Sequence, residues 1–402
     1  CRAPLRRSCV WADRVASEQN QIVITHSPSS WEVQMLDGLP EAWLKKLVEF
    51  LQRVAPGGVE SPWSVECFRW KLGESNPAGR GFLTCAVAGG EIVGVTSLTL
   101  KRIWFRNQVV RGAEIGDLYT HPAFLRVSAH RDSRGGGEYL QRSVLGRCAS
   151  DTIHRASERG ISLLYGTPNK LARPGLEKRL GFLTHPTHRN TRFVRPTVGG
   201  LVARVPVLRP VSGVLSACEA VLEKLLRALA ALRAGRRYEL GRLDQPSDRL
   251  DELWDRLKGQ REFSLVRDRK YFQHRFFTHP VATYRVHTAS DHGQLRGVMV
   301  TRVMRTRTGR RVACIVDWLV DASQPQLFPW LLTHAIHECD WKRLDGFQLW
   351  CGLPGVYAST LRRLGFIRMS ESPIIFLQNA LGNAVLRAGP TLDFTLATSD
   401  NV

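Results

Sequence analysis

An internal repeat constrains the fold of this chain more than any other feature. The segments CFRWKLGESNP from Cys67 and YFQHRFFTHP from Tyr271 open the same series of a helical segment, three apolar strands, and later a strand and a short helix ending in Arg-Leu-Gly-Phe. Matching residues are about 204 apart at this point, about 200 apart at Asp117 and Asp317, and about 184 apart at the shared ending. The chain is therefore expected to contain two related copies, with about 16 extra residues in the first.

Composition agrees with a globular chain of about two domains. The 402 residues are 43% hydrophobic and 23% charged, which excludes a wholly disordered, collagen-like or coiled-coil protein. No run of 18 apolar residues occurs, so we expect no membrane span. The 57 Lys and Arg against 36 Asp and Glu give a charge of +21, which favours anionic partners. The excess is spread along the chain, so it does not single out nucleic acid.

The nine cysteines are odd in number and form no Cys-x-x-Cys pair. Several lie inside apolar runs, as is typical of reduced, buried thiols in a cytoplasmic protein. His334, His337 and Cys339 fit no common zinc site, and no Gly-x-x-x-x-Gly-Lys-Ser/Thr loop occurs. We expect no metal.

Each copy is predicted to be α+β, with a mixed and mostly antiparallel sheet flanked by helices. The predicted divisions are a disordered tail at 1–20, the first copy at 21–205, a linker helix at 206–236, the second copy at 237–380, and a tail at 381–402. The linker has apolar residues at helical spacing and is expected to pack between the domains. Its flanking arginines would also suit a membrane surface, but Glu219 and Glu223 argue against that.

A glycine-rich loop is the strongest chemical signal. A strand ends at Thr120-His121-Pro122, and Arg134-Gly135-Gly136-Gly137 precedes an amphipathic helix. Such a loop exposes backbone N–H groups at a helix N-terminus, where they can bind a pyrophosphate.

These residues resemble the GNAT superfamily of acyl-CoA-dependent N-acyltransferases, whose motif has the form Arg-x-x-Gly-x-Gly/Ala. Arg134 and Gly137 match, Tyr139 replaces the last small residue, and about nine extra residues stretch the loop. A second motif matches at Asn169 and at the helix ending in Leu180-Gly181-Phe182. The resemblance implies acetyl-CoA or another acyl-CoA as co-substrate. It assigns CoA binding to Leu118, Tyr119, Thr120, Arg134, Gly135, Gly136, Gly137, Glu138, Tyr139 and Asn169.

The same resemblance implies that backbone N–H groups near 118–120 stabilise the tetrahedral oxyanion. The general base is predicted to be Asp117, His121 or Glu114, the last on the opposite face from Asp117 in a regular strand. A structural Asp–Arg pair and a turn histidine are the alternatives. Many GNAT enzymes carry a tyrosine acid where this chain has Leu176, so the acid is absent or supplied by Tyr139 or Tyr165.

The second copy lacks the glycine loop, which resembles a tandem subgroup that includes sugar N-acyltransferases acting on nucleotide-linked amino sugars. Its acceptor pocket is predicted to contain Tyr271, His274, Arg275, Asp317, Trp318 and Trp350, with core packing as the alternative for the aromatic residues. The predicted function is acyl transfer to a primary amine of a small acceptor. An aminoacyl-tRNA-dependent transferase and a non-catalytic acyl-CoA-binding protein remain alternatives.

Overall fold

The computed structural model describes residues 31–36, 38–55, 63–125, 143–234, 237–306, 308–340 and 343–398. The strands are β1 (Glu32–Leu36), β2 (Phe82–Ala88), β3 (Glu91–Phe105), β4 (Gln108–Thr120), β5 (Leu163–Gly166), β6 (Phe182–Pro196), β7 (Glu239–Leu243), β8 (Phe263–Leu265), β9 (Arg285–Asp291), β10 (Gln294–Arg305), β11 (Arg311–Val320), β12 (Gly346–Cys351), β13 (Ile367–Leu377) and β14 (Leu392–Asp393). The helices are α1 (Glu41–Val54), α2 (Val65–Leu72), α3 (Pro122–Leu125), α4 (Val144–Glu158), α5 (Arg173–Arg179), α6 (Val198–Arg204), α7 (Ser212–Ala234), α8 (Arg249–Leu257), α9 (Arg269–Phe272), α10 (Leu327–Glu338), α11 (Pro354–Arg363) and α12 (Ala380–Ala388).

One continuous sheet joins the two copies. Its order is β1-β2-β3-β4-β5-β13-β6-β12-β11-β10-β9-β7. The strands of the second copy therefore follow one another across the sheet in the reverse order to those of the first. The last strands are exchanged, because β13 pairs with β5 of the first copy and β6 pairs with β12 of the second. Most neighbours are antiparallel, whereas β4–β5 and β11–β12 are parallel. The predicted α+β class and the tandem arrangement are confirmed.

The sheet faces are covered by helices whose apolar residues recur at helical spacing. In α1, Leu44, Leu47, Phe50 and Leu51 are buried against β2 and β3. The two copies also share apolar contacts, because β8 pairs with the far end of β3. Burial at these shared contacts stabilises the halves against one another.

The prediction of a tail over 381–402 is wrong for the described residues up to 398. Helix α12 and strand β14 lie there, and Leu392, Phe394 and Ala397 are buried. The sequence carried a signal for this order, because Leu381, Ala384, Val385 and Ala388 recur at helical spacing and Leu392, Phe394 and Leu396 alternate as in a strand. Leu392, Phe394 and Ala397 are buried because the segment enters a gap that other parts of the chain form.

Helix α7 packs against the second copy through Leu226, Ala230 and Ala231. Its Glu219 accepts a hydrogen bond from the Val198 N–H at 3.0 Å, and its Glu223 pairs with Arg195. Both acidic side chains therefore face the protein. Within the described ranges, every helix is too short or too polar to cross a lipid bilayer.

Candidate functional site

A β-bulge interrupts β4 at Asp117. Between the pairs Ser97–Gly116 and Val95–Tyr119, two residues of β4 lie opposite one residue of β3. Asp117 has a φ of 47°, in the left-handed region that non-glycine residues rarely adopt. The bulge directs its carboxylate toward Ser97, whose hydroxyl donates to Asp117 Oδ2 at 2.6 Å. Bulges of this kind re-aim side chains and are common beside functional sites.

Two carboxylate–lysine pairs lie next to the bulge. Lys71 Nζ donates to Asp117 Oδ2 at 2.7 Å, and Lys101 Nζ lies 3.8 Å from Glu114 Oε2. Glu114 is directly opposite Thr99 of β3, and Thr99 and both lysines line one cleft. The bulge breaks the regular alternation that would separate Glu114 from Asp117. Both predicted bases are therefore paired with lysines that line this cleft, although neither carboxylate is itself among the lining residues.

An opening follows on the other edge of β4. Pairing with β5 covers only three residues of β4, the last of which is Glu114. Beyond it, residues 115–120 pair with no described strand on that edge, and we call this opening the first wedge. Asp117 Oδ1 and Thr120 Oγ1 are buried without a hydrogen-bond partner within the described part of the chain. Other buried side chains of the described residues also have such atoms, so what points to a ligand or water here is their place beside an unpaired strand edge.

Helix α4 begins close to this opening. Ser143 caps it by accepting a hydrogen bond from the Gly146 N–H at 3.1 Å, and its first turn carries no acidic residue. Its first turn packs tightly on β3, since a Cβ on Gly94 would lie 2.2 Å from Val144 Cγ1. The glycine loop that precedes α4, including Arg134 to Tyr139, lies outside the described residues.

A cleft separates α2 and β3 of the first copy from α9 of the second. It contains about 480 Å³ of empty space, including the solvent at its mouth. The lining residues are Trp70, Lys71, Asn76, Pro77, Ala78, Thr99, Leu100, Lys101, Arg102, Leu265, Val266, Tyr271, His274, Arg275 and Ala397. Four of these side chains are cationic and none is a carboxylate. Three of the cations are paired with carboxylates that lie outside the lining, Lys71 with Asp117, Lys101 with Glu114 and Arg102 with Asp268. The positive charge available to an anionic group is therefore smaller than the lining alone indicates.

Aromatic contacts connect the two walls of the cleft. The Trp70 ring stacks on His274 at 4.7 Å, and its indole N–H donates to the His274 carbonyl at 2.8 Å. The Arg275 guanidinium carbon lies 5.3 Å from the centre of the same ring. His279 also contacts the Trp70 ring, at 4.3 Å between ring centres, so the indole is packed by three side chains of the second copy.

The corresponding opening in the second copy, which we call the second wedge, is filled. Strands β11 and β12 also pair over a short parallel stretch and then diverge. The segment Leu392–Thr398 occupies the gap, with a bridge between Cys351 and Thr395 and a hydrogen bond from the Gly352 N–H to the Phe394 carbonyl at 2.7 Å. The second wedge is thus closed by the chain itself.

A buried polar network holds this segment. Arg267 Nε donates to both Asp317 oxygens at 3.1 and 3.2 Å, and Arg267 Nη1 donates to Asp393 at 2.9 Å. The hydroxyls of Tyr271 and Thr395 also donate to Asp317, at 2.8 and 2.9 Å. Burial, and next the Asp317 charge, raise the pKa of Tyr271 well above its usual value. The tyrosine is therefore a neutral donor in this network.

No family model and no curated protein matches the sequence. Solved structures do match. A GCN5-related N-acetyltransferase from Anabaena variabilis is 14% identical with a TM-score of 0.55, covering 86% of this chain and 72% of that one. The N-myristoyltransferase of Saccharomyces cerevisiae with bound myristoyl-CoA is 14% identical with a TM-score of 0.56, covering 87% and 79%.

The chain has a tandem GNAT fold. A further match, a GCN5-related N-acetyltransferase from Kribbella flavida, is 13% identical with a TM-score of 0.54 and covers 87% of this chain and 72% of that one. The resemblance stated from the two sequence motifs is therefore confirmed at the level of fold.

Several predicted residues of the GNAT site have other contacts. His121 Nδ1 accepts the Ala123 N–H at 3.3 Å in the turn before α3, and burial, with a smaller contribution from Arg53, lowers its pKa. Asn169 Oδ1 accepts the N–H groups of Leu171 and Ala172, each at 2.9 Å, in the turn that precedes α5. Their predicted roles in base catalysis and CoA binding stay predictions.

The remaining β4 residues, the residue at the usual tyrosine position and the acid candidate Tyr165 lie as follows, whereas Tyr139 lies outside the described residues. Leu118, Tyr119 and Thr120 are half-buried along the first wedge. Leu176 belongs to the apolar core beneath α4. Tyr165 is buried, and its hydroxyl donates to the Thr398 carbonyl at 3.0 Å.

The predicted acceptor residues divide into two groups. Tyr271, His274 and Arg275 line the cleft. Asp317 and Trp318 are buried in the second copy, where Trp318 packs edge-on against Tyr357. Trp350 is half-buried on β12, opposite Arg192 of β6. These last three are not among the residues that line the cleft.

Sequence reasoning missed Lys71, Ser97 and Trp70, which shape the first copy's side of the cleft. The repeat contained a signal for one of them, because Lys71 and Arg275 are separated by the same 204 residues as Cys67 and Tyr271. Comparing the charged residues of the two copies, as well as the apolar ones, would have predicted that both cations lie at the cleft.

Proposed function

We propose that this protein is an acyl-CoA-dependent N-acyltransferase that binds the acyl-CoA in its first wedge. The observation that carries the proposal is the bulged, unpaired edge of β4, where Asp117 Oδ1 and Thr120 Oγ1 are buried without partners. An acyl-pantetheine chain offers amide groups that can pair with this edge as a strand would. The second wedge is closed, so the proposal assigns one acyl-CoA site to each chain.

The reaction needs a neutral amine, a stabilised oxyanion and a leaving thiolate. The amine nitrogen attacks the thioester carbonyl carbon, the C–S bond breaks, and the thiolate leaves. Backbone N–H groups at 118–120 would donate to the oxyanion. Asp117 would accept the amine proton through a water, since its Oδ2 is held by Lys71 and Ser97 while Oδ1 has no partner.

The acceptor is assigned to the cleft between the copies. Its lysine and arginine lining supports an amine that carries anionic groups. A nucleotide-linked amino sugar carries such groups on its diphosphate. In the alternative reaction, an aminoacyl-tRNA would replace the acyl-CoA as donor of the acyl group, and thiol release from acyl-CoA in the activity test would favour the acyl-CoA-dependent reaction.

Calorimetry with acetyl-CoA and with a longer acyl-CoA tests the proposal. We expect one site per chain, and an affinity that falls at least about tenfold in Arg134→Ala with Gly137→Asp, because a pyrophosphate in the loop would lose a cation and meet a carboxylate. Arg387→Ala with Gly259→Asp changes the charge equally at exposed positions and is the control.

Thiol release from the acyl-CoA that binds is then measured with a panel of amines, including amino-sugar nucleotides. Absence of binding by either acyl-CoA would refute the proposal. Binding without thiol release for any amine would refute catalysis and favour the non-catalytic alternative.

A further inference from the structure

The exposed apolar surface of the described residues is concentrated in one segment, 198–234. It contributes ten of the seventeen large hydrophobic side chains that are exposed. Those on α7 are Val214, Val221, Leu222, Leu225, Leu229 and Leu232. With 3.6 residues per turn they fall within about 100° of the helix surface, together with the exposed Cys218. We call this set the apolar stripe.

The opposite face of α7 accounts for the acidic residues of the segment. Glu219 and Glu223, the only two acidic residues in 198–234, bond to the Val198 N–H and to Arg195. Leu226 on the same side packs into the second copy. The acidic residues that argued in the sequence against a membrane-surface helix are thus turned inward.

The charges left on the outside are basic. Arg204, Arg209 and Lys224 are exposed around the stripe. A second copy seated on the stripe would bring two basic surfaces together in a chain that already carries +21. A bilayer containing anionic lipids accepts apolar side chains into its interior and places phosphates beside the cations.

We propose that segment 198–234 binds an anionic lipid surface, with α7 lying in the plane of the interface and the apolar stripe inserted. The segment lies on the outer side of the second copy, away from the cleft. The proposal is therefore independent of the assigned acyltransferase activity.

Vesicle flotation with the full chain tests the proposal. We compare vesicles of phosphatidylcholine with vesicles of phosphatidylcholine and phosphatidylglycerol. Wild type is expected to float with the anionic vesicles and to be released by high salt. Leu225→Glu with Leu232→Glu is expected to lower the partition coefficient at least about tenfold. Ile367→Glu with Met369→Glu, at equally exposed apolar positions on β13, is the control for added charge and should bind as wild type does.

A fluorophore gives a second readout at the stripe. Cys218 is the exposed cysteine of the described residues, and the other six are buried. In a background with Cys1→Ser and Cys9→Ser, an environment-sensitive label on Cys218 is expected to shift to the blue with anionic vesicles.

Equal partition into neutral and anionic vesicles, or no partition, would overturn the proposal. So would sedimentation velocity that finds a wild-type dimer which Leu225→Glu with Leu232→Glu dissociates, because a second copy would then cover the stripe.

Discussion

The two wedges have the same strand arrangement and differ in what occupies them. Asp117 and Asp317 occupy matching positions in the two copies, and each lies where two parallel strands diverge. Asp317 has both oxygens bonded and is covered by Leu392–Thr398, whereas Asp117 keeps an oxygen without a partner. The second gap is filled by the chain's own segment, and the first contains no described segment.

The two wedges are also expected to differ in stability. A buried polar atom without a partner costs about 1–3 kcal/mol of stability, while a satisfied network does not carry that cost. The first wedge is therefore expected to be less stable than the second until a ligand occupies it. Residues selected for function often lower stability in this way.

The largest expected effect distinguishes the two aspartates. Asp117→Asn removes the proposed base, so we expect turnover to fall by about 10²–10⁴ with acyl-CoA affinity within about threefold. Asp317→Asn should instead lower the free energy of unfolding and reduce turnover much less. Stopped-time assays across pH and denaturant titrations measure both. A pH–rate profile for Asp117→Asn that matches wild type would remove this residue as the base.

The next prediction compares the cations that hold the aspartates. Arg267→Met leaves Asp317 buried without its charge partner, while Asp393 keeps Arg261, and should lower the free energy of unfolding by about 3–5 kcal/mol. Lys71→Met should lower it less, since Ser97 still donates to Asp117 beside the open cleft. Urea unfolding monitored by tryptophan fluorescence measures both changes. Equal losses of unfolding free energy in the two variants would contradict the distinction between Arg267–Asp317 as a structural pair and Lys71–Asp117 as part of the proposed acyl-CoA site.

The smallest expected effect is the loss of folding stability at low pH. Burial, then neighbouring positive groups, lower the pKa of His185 to about 4 and that of His287 to about 3, and both are fully buried. Below the unfolded value of about 6.5 the unfolded chain takes up protons that the folded chain does not. Each histidine should therefore remove about 1.4 kcal/mol of stability per pH unit as pH falls from about 6.5 toward its folded pKa.

Unfolding free energies at pH 7 and pH 5 test this in one variant from each copy, His185→Gln and His287→Gln. Each variant should lose about 2 kcal/mol less than wild type over this interval. An identical pH dependence in wild type and in both variants would contradict the prediction.

Much of this architecture could be predicted from the sequence, because the repeat keeps the same order of elements in both copies although its spacing falls from about 204 to about 184 residues. The bulge at Asp117 could not, since a positive φ at a non-glycine residue has no sequence signal. The exchange of the last strands also has no sequence signal, because the residues of a strand such as β13 do not show which strands it will pair with. The burial of Leu392 and Phe394 could not be predicted from their spacing, because it depends on a gap formed by distant residues.

The exchanged strands have a consequence for how the protein is made. β5 lacks its outer neighbour until the ribosome has synthesised β13, which ends at Leu377. The first half, although encoded first, cannot finish its sheet while the second is still being translated. Its exposed strand edge must wait for most of the chain, so folding is expected to complete in both halves together and to be sensitive to truncation before that point.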